Sequence, residues 1–312
     1  MSAPATRYPF ARRWWLYQAE RFPLGTHFIA IALFFACAYF GAQALATTGP
    51  LHLGSRGWVA LGVTFLTMLL LRVCDEFKDF ADDRINYPDR VVQRGIVTLS
   101  ELKVLGVLIG IALIACNLTL GRESCMAYAL VIGFVWLMRV EFFVGPWLKR
   151  HIFIYALTHQ GIVPLLCLYL AVVALLSFKA VPQTFWLVIL TSVGIGLCFE
   201  LSRKFRAPED ELATLDTYTK SFGPRGAAIS AFSCLVAAFI GGYWLSNLLD
   251  LAASVQGTLI FALACGAIGY VGYAALPTAR RAKHVKNLAS LAIVLSNFAL
   301  VAGMLSVRNF IW

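Results

Sequence analysis

Five carboxylates crowd one short stretch of the chain. Asp75, Glu76, Asp79, Asp82 and Asp83 lie in the run Cys74-Asp75-Glu76-Phe77-Lys78-Asp79-Phe80-Ala81-Asp82-Asp83-Arg84. On a helix they fall within an arc of roughly 120°. Like charges four residues apart weaken an isolated helix, and anions at its C-terminal end oppose its dipole. Helix stability therefore does not account for the pattern. A bound divalent cation does, because hard Mg2+ takes carboxylate oxygens and shares its shell with substrate phosphates. The plainer alternative is a solvated helix end paired with Lys78, Arg84 and Arg90, and the residues alone leave it open. Because the stretch continues an apolar run, however, its acids sit where carboxylates are costly and as a rule functional.

Basic residues follow at several points. Asn86 and Pro88 are expected to end the helix, after which Arg90 and Arg94 are placed to bind phosphate oxygens. Gly95 allows a turn, and a new helix is predicted from an N-cap at Ser100 with Glu101 in its first turn. A second acidic segment comprises Glu200, Glu209 and Asp210, interleaved with Arg203, Lys204 and Arg206. Pro208 breaks that helix or begins a short new one. Lys149 and Arg150 form a further basic pair, either a phosphate contact or a topology anchor. His159 and Gln160 offer polar atoms to an acceptor molecule, with a buried, hydrogen-bonded histidine as the alternative. The eight cysteines occur singly, which supports neither a disulfide framework nor a zinc site.

These residues need a membrane scaffold to position them. Of 312 residues, 60% are hydrophobic and 13% charged, against about 25% charged in soluble domains. A bilayer core about 30 Å thick needs roughly 20 apolar residues to cross. Nine runs qualify, near 26–46, 57–74, 100–119, 124–142, 152–176, 184–202, 227–248, 256–276 and 285–306. The expectation is an all-α polytopic bundle of nine transmembrane helices. It forms one membrane domain (26–312) with polar loops at 75–99 and 203–226. Residues 1–25 read as an interfacial segment, since Arg12-Arg13 precedes Trp14 and Trp15 rather than a signal-peptide core. With nine spans, only Arg56, Arg122, Lys179 and Arg308 of the 26 Lys and Arg fall on one side. Positive-inside bias of this strength predicts a cytoplasmic N-terminus and a cytoplasmic active face, in the inner or plasma membrane of a prokaryote. The net charge of +10 is thereby a topology signal and not a nucleic-acid footprint.

The motifs resemble those of a known family. Asp75-Glu76-x-x-Asp79-x-x-x-Asp83 is similar to the N-D-x-x-D-x-x-x-D motif of the UbiA superfamily of intramembrane prenyltransferases, with Asp in place of Asn. The stretch from Arg90 to Gly95 resembles that family's R-P-x-x-x-G, with Val91 in place of Pro. Pro146 to Arg150 resembles its Y-P-x-x-K-R, and Thr217 to Gly223 its T-x-x-x-x-F-G. The second motif departs from the family's D-x-x-x-D, because Lys204 stands four residues after Glu200. The resemblance implies Mg2+ held by Asp75, Glu76, Asp79 and Asp83, with Glu200, Glu209 and Asp210 as second-motif equivalents. It implies a prenyl diphosphate bound by Arg90, Arg94, Lys149, Arg150, Arg203, Lys204 and Arg206, with Asp79 and Asp83 catalytic. The prenyl group then passes to a membrane-soluble, aromatic or lipid-like acceptor. Two other readings stay open, a cation- or proton-coupled transporter and a non-catalytic protein of the same shape. Transporters usually place their site near the midplane, whereas these acids cluster at one face.

Overall fold

A computed structural model of the chain describes residues 8–212 and 214–312. The first seven residues of the expected interfacial segment lie outside the described residues. That segment otherwise contains helix α1 (Phe10–Arg21), and the membrane bundle follows as α2 (Leu24–Ala46) and α3 (Gly54–Lys78). After the two-turn α4 (Phe80–Asn86) come α5 (Leu99–Leu120), α6 (Arg122–Arg139), α7 (Gly145–Arg150), α8 (Ile152–His159) and α9 (Ile162–Leu175). The chain ends with α10 (Trp186–Ser202), α11 (Tyr218–Leu248), α12 (Ala253–Ala275) and α13 (Ala279–Val307).

Eight helical stretches among the described residues are long and apolar enough to cross a bilayer. The ninth expected span corresponds to α6, which has 18 residues and so measures about 27 Å at the helical rise. It carries Arg122 and Glu123 at one end and Arg139 at the other, so composition does not rank it with the eight. The protein is an integral, multi-pass α-helical membrane protein. Along α5, Val104, Leu108, Ile111 and Leu118 are exposed, and such a stripe is stable only against lipid.

Several expected boundaries move for local reasons. The cap of α5 is Thr98 and not Ser100. Thr98 accepts from the Glu101 amide while the Glu101 carboxylate accepts from the Thr98 amide, a reciprocal capping box. The 152–176 run is broken at Gln160 and Gly161 into α8 and α9. A side chain at 161 would strike Phe134, whose ring carbon lies 2.5 Å from the position of a Cβ. α11 starts nine residues earlier than expected because Thr217 caps it, and it turns through Gly223 at φ +69°.

Neighbouring helices pack in a ring. α10 lies on α11, α11 on α12 and α12 on α13, while α13 returns to α2 and α2 packs on α9. The α10–α11 contact is made by glycine. A Cβ on Gly194 would lie 2.6 Å from the Ala238 nitrogen and 2.7 Å from the Cys234 carbonyl, and one on Gly241 would lie 2.9 Å from the Leu187 carbonyl. Small residues let membrane helices approach closely enough for backbone contact. At the end away from the acidic stretch, β1 (Leu51–His52) and β2 (Phe310–Ile311) pair in parallel. Gln43 braces this pair by accepting from the His52 amide at 2.8 Å.

Gly194→Val is expected to force α10 and α11 apart and lower Tm by several degrees, as overpacking of about 1–3 kcal/mol implies. Gly62→Ala, which meets nothing within 4 Å, should leave the detergent-solubilised protein unchanged.

Candidate active site

Four polar segments meet at one end of the bundle. Arg13 of α1 donates to the Ile96 carbonyl at 2.6 Å, and the Val91 amide donates to Glu20 at 3.2 Å. Arg206 donates to the Tyr87 hydroxyl at 3.0 Å, and Thr214 donates to the Asn86 side chain at 2.5 Å. Lys149 stands 3.7 Å from Asp82. The N-terminal helix thus does more than rest on headgroups. Its inner face closes over the 87–101 segment, while Phe10 and Trp15 on its other side are exposed.

The five carboxylates do not crowd one face. The helix is interrupted at Asp79 (φ −94°, ψ 1°), between α3 and α4, and the acids divide into two adjoining stripes. Glu76 and Asp83 turn inward. Arg21 donates to both Glu76 oxygens, at 2.7 and 3.2 Å, and to Asp83 at 3.2 Å. Arg72 lies 3.2 Å from Glu76, and Arg90 closes on Asp83 while stacking over Tyr87 at 3.8 Å. The Glu76 side chain is 0% exposed and that of Arg21 only 8%. Burial opposes the charge on Arg21, but the Glu76 bonds and the fields of Glu76 and Asp83 hold its pKa above the ordinary value.

Asp75, Asp79 and Asp82 form the other stripe. Asp75 is 42% exposed and pairs with Lys78 at 3.3 Å, and Asp82 is 65% exposed. Among the described residues the Asp79 carboxylate makes no hydrogen bond or salt bridge. Burial raises its carboxyl above the ordinary value, Lys78 works against this, and Asp75 and Asp83 add to the rise. This stripe carries negative charge that nearby cations do not fully offset. Around it stand residues that spacing did not single out. Lys78 lies 5.6 Å over the Tyr155 ring, and Lys204 lies 5.6 Å over Tyr218. Glu141 opens a left-handed turn with Phe142 and Phe143 at φ +48°, +53° and +60°. Gly145 gives that turn room, since a Cβ there would overlap the Glu141 carboxylate.

The remaining predicted residues are placed as follows. Glu200 lies between Arg203 at 2.5 Å and Lys204 at 3.0 Å, and Asp75 adds to the field on Arg203. Glu209 and Asp210 are exposed on a single turn at Pro208–Asp210, where the Asp210 carbonyl accepts from Arg206 at 3.2 Å. They do not join Glu200 in a second carboxylate cluster. Arg94 and Arg150 are exposed and without a polar partner among the described residues. The His159 Nδ1 bonds the Tyr155 carbonyl of its own helix at 2.9 Å, the expected alternative for a buried histidine.

No group of three or more His, Cys, Asp and Glu among the described residues lies close enough to hold a metal ion. The four-carboxylate ligand set implied for Asp75, Glu76, Asp79 and Asp83 is therefore not assembled, because guanidinium groups occupy Glu76 and Asp83. The smaller set fits. Mg2+ typically binds through one or two carboxylates, keeps waters and completes its shell with substrate phosphates. Asp75 and Asp79, one helical turn apart and incompletely neutralised, offer that donor set.

No family model and no curated protein matches the chain. Two solved structures do. One is the apo structure of a UbiA homolog from Aeropyrum pernix K1, at 16% identity and TM-score 0.62, covering 88% of this chain and 97% of that one. The other concerns a digeranylgeranylglyceryl phosphate synthase, at 15% identity and TM-score 0.58, covering 91% and 99%. The chain shares its fold with these two structures, a UbiA-type helical bundle.

Arg21→Ala leaves Glu76 buried beside Arg72 alone. The expected loss is about 3–5 kcal/mol, the usual cost of stranding a buried charge, read as a lowered Tm. Arg21→Lys should recover only part of it, because one ammonium cannot reproduce the fork that spans Glu76 and Asp83. An Arg21→Ala protein as stable as wild type contradicts this clamp.

Proposed function

We propose that the protein is a Mg2+-dependent intramembrane prenyltransferase, which ionises an allylic prenyl diphosphate and transfers its prenyl group to a membrane-soluble acceptor. The observation that carries the reading is the half-buried pair Asp75 and Asp79, of which Asp75 meets only Lys78 and the Asp79 carboxylate has no cationic partner within 4 Å among the described residues, at the polar end of a UbiA-type bundle. Mg2+ held there supplies positive charge to the diphosphate oxygens when bound. The chain's own cations complete the pull on the leaving group. Among the described residues the Arg94 and Arg150 side chains have no polar partner to give up, and Lys149 is 52% exposed, with Asp82 and Glu141 only at 3.7 and 3.9 Å. Arg203, Lys204 and Arg206 stand behind them as a second bank of positive charge beside Glu200.

The division of the acids assigns different duties. Asp75 and Asp79 hold metal, whereas Glu76 and Asp83 hold Arg21, Arg72 and Arg90, and so fix α1 and the 87–95 turn around the diphosphate. In the reaction the C1–O bond of the allylic diphosphate breaks and both electrons leave with pyrophosphate. An acceptor atom then bonds C1 and gives up a proton. The allylic cation needs a site without water and with ring faces turned toward it. Tyr155 and Tyr218, each under a lysine ammonium, are the rings we assign to that role. The surplus of Lys and Arg on the loops of this end favours a cytoplasmic active face.

Purified protein given a panel of prenyl diphosphates and acceptors should yield prenylated products by mass spectrometry only when Mg2+ is present. Asp75→Asn and Asp79→Asn should each lower turnover by roughly two orders of magnitude or more with Tm unchanged. Asp83→Asn should lose both turnover and stability, because Arg21 and Arg90 lose their partner. Wild-type turnover in the Asp79→Asn protein counts decisively against the assignment. Ion flux in proteoliposomes without pyrophosphate release would replace it with a transporter.

A further inference from the structure

A cavity of about 290 Å³ opens between the end of α10, the 203–210 segment and the first turns of α13. Its charge is lopsided. Arg203, Arg206, Lys283 and Lys286 line it against a single carboxylate, Asp210, with Ala282 at its wall. The two arginines are held in place. Arg203 is fixed by Glu200. Arg206 donates to Tyr87 and to the Asp210 carbonyl, and its own carbonyl accepts from Tyr273 at 2.5 Å. The two lysines are exposed and have no polar partner among the described residues.

Fixed guanidinium forks beside uncommitted ammonium groups form a receptor for an oxyanion with several acceptor oxygens. Positive-inside bias alone accounts for lysines at a helix start, but it requires neither a cavity nor locked arginines behind them. Arg280, in the same turn of α13 and exposed, makes the contrast, because it does not line the cavity. Depth narrows the ligand further. α13 runs from this cavity into an apolar stretch long enough to cross a bilayer, which makes a lipid headgroup one source of the ligand.

We propose that this cavity binds a phosphate group, carried by an anionic lipid headgroup or free in solution. It adjoins the Asp75–Asp79 site without being part of it. Arg203, which feels the field of Asp75, links the two, while Lys283 and Lys286 line the cavity. A phosphate seated here ties α13 to the 203–210 segment by charge, in addition to their packing.

The test reads binding and so does not depend on prenyl transfer. Full-length protein in a neutral detergent is titrated with short-chain phosphatidic acid, with short-chain phosphatidylcholine, and separately with inorganic phosphate, and Tm is followed. Phosphatidic acid should raise Tm where phosphatidylcholine does not. K283Q/K286Q, two exposed substitutions that should fold normally, should weaken the apparent affinity on the order of thirty-fold. R280Q should respond like wild type. A response to phosphatidic acid alone identifies a lipid headgroup as the source, and an equal response to inorganic phosphate identifies soluble phosphate; both support the site. If K283Q/K286Q responds as wild type does, or R280Q loses as much as the double variant, or neither phosphate compound shifts wild type, the proposal is overturned.

Discussion

A carboxylate with no solvent contact must be paired or protonated, and in this protein that constraint falls on Glu76. Its partner is Arg21, brought from a helix that precedes the membrane bundle. Because Arg21 reaches Glu76 and Asp83 together, one guanidinium joins α1, the end of α3 and the start of α4. Arg90 then extends the network to the 87–95 turn. The rest of the polar end follows from this arrangement. With α1 held down, Arg13 reaches Ile96 and Glu20 reaches the Val91 amide. With Tyr87 held under Arg90, its hydroxyl is placed to receive Arg206 from the other half of the molecule. The two polar loops thereby face each other across the mouth of the bundle.

The same network determines which acids remain for chemistry. Arginine is always charged and delivers a planar fork, which makes it a structural substitute for a metal ion between two carboxylates. Where Arg21 sits, a cation has no vacant oxygen pair to take. Asp75 and Asp79 lie one step around the helix, beside Lys78, and are carboxylates that no guanidinium holds, which is why the proposed metal site is assigned to them. The acid-rich motif is therefore divided, with Glu76 and Asp83 holding the architecture and Asp75 and Asp79 left outside that network.

Much of the fold was legible in the sequence, because lipid imposes long apolar runs and the side chains reveal their ends. The acid spacing was legible too, since i, i+4 and i+7 positions fix a helix face. The pairing of those acids was legible only in part, at Lys78 and Arg90. Arg21 lies 55 residues from Glu76, and nothing in local spacing links an interfacial helix to the end of the second span. Arg72, four residues before Glu76, is a partner that helical periodicity could have named, as it did Lys78 for Asp75. The break at Gln160 and Gly161 depends on the bulk of Phe134 from another helix, which no window along the chain contains. The second acidic segment was overread because its acids were taken as a set. Arg203 and Lys204 enclose Glu200 locally, and Pro208 starts a separate exposed turn that carries Glu209 and Asp210 outward.

The central claim is that Asp75 and Asp79 hold the metal while Arg21 keeps Glu76 and Asp83. Its most direct test is an experimental structure of the protein with Mn2+ and an unreactive prenyl thiodiphosphate, with the metal located by anomalous scattering. The account predicts metal density against Asp75 and Asp79, bridged to the diphosphate, with Arg21 still bonded to Glu76. Metal density on Glu76 and Asp83 with Arg21 displaced, or a bound diphosphate with no metal at all, contradicts it.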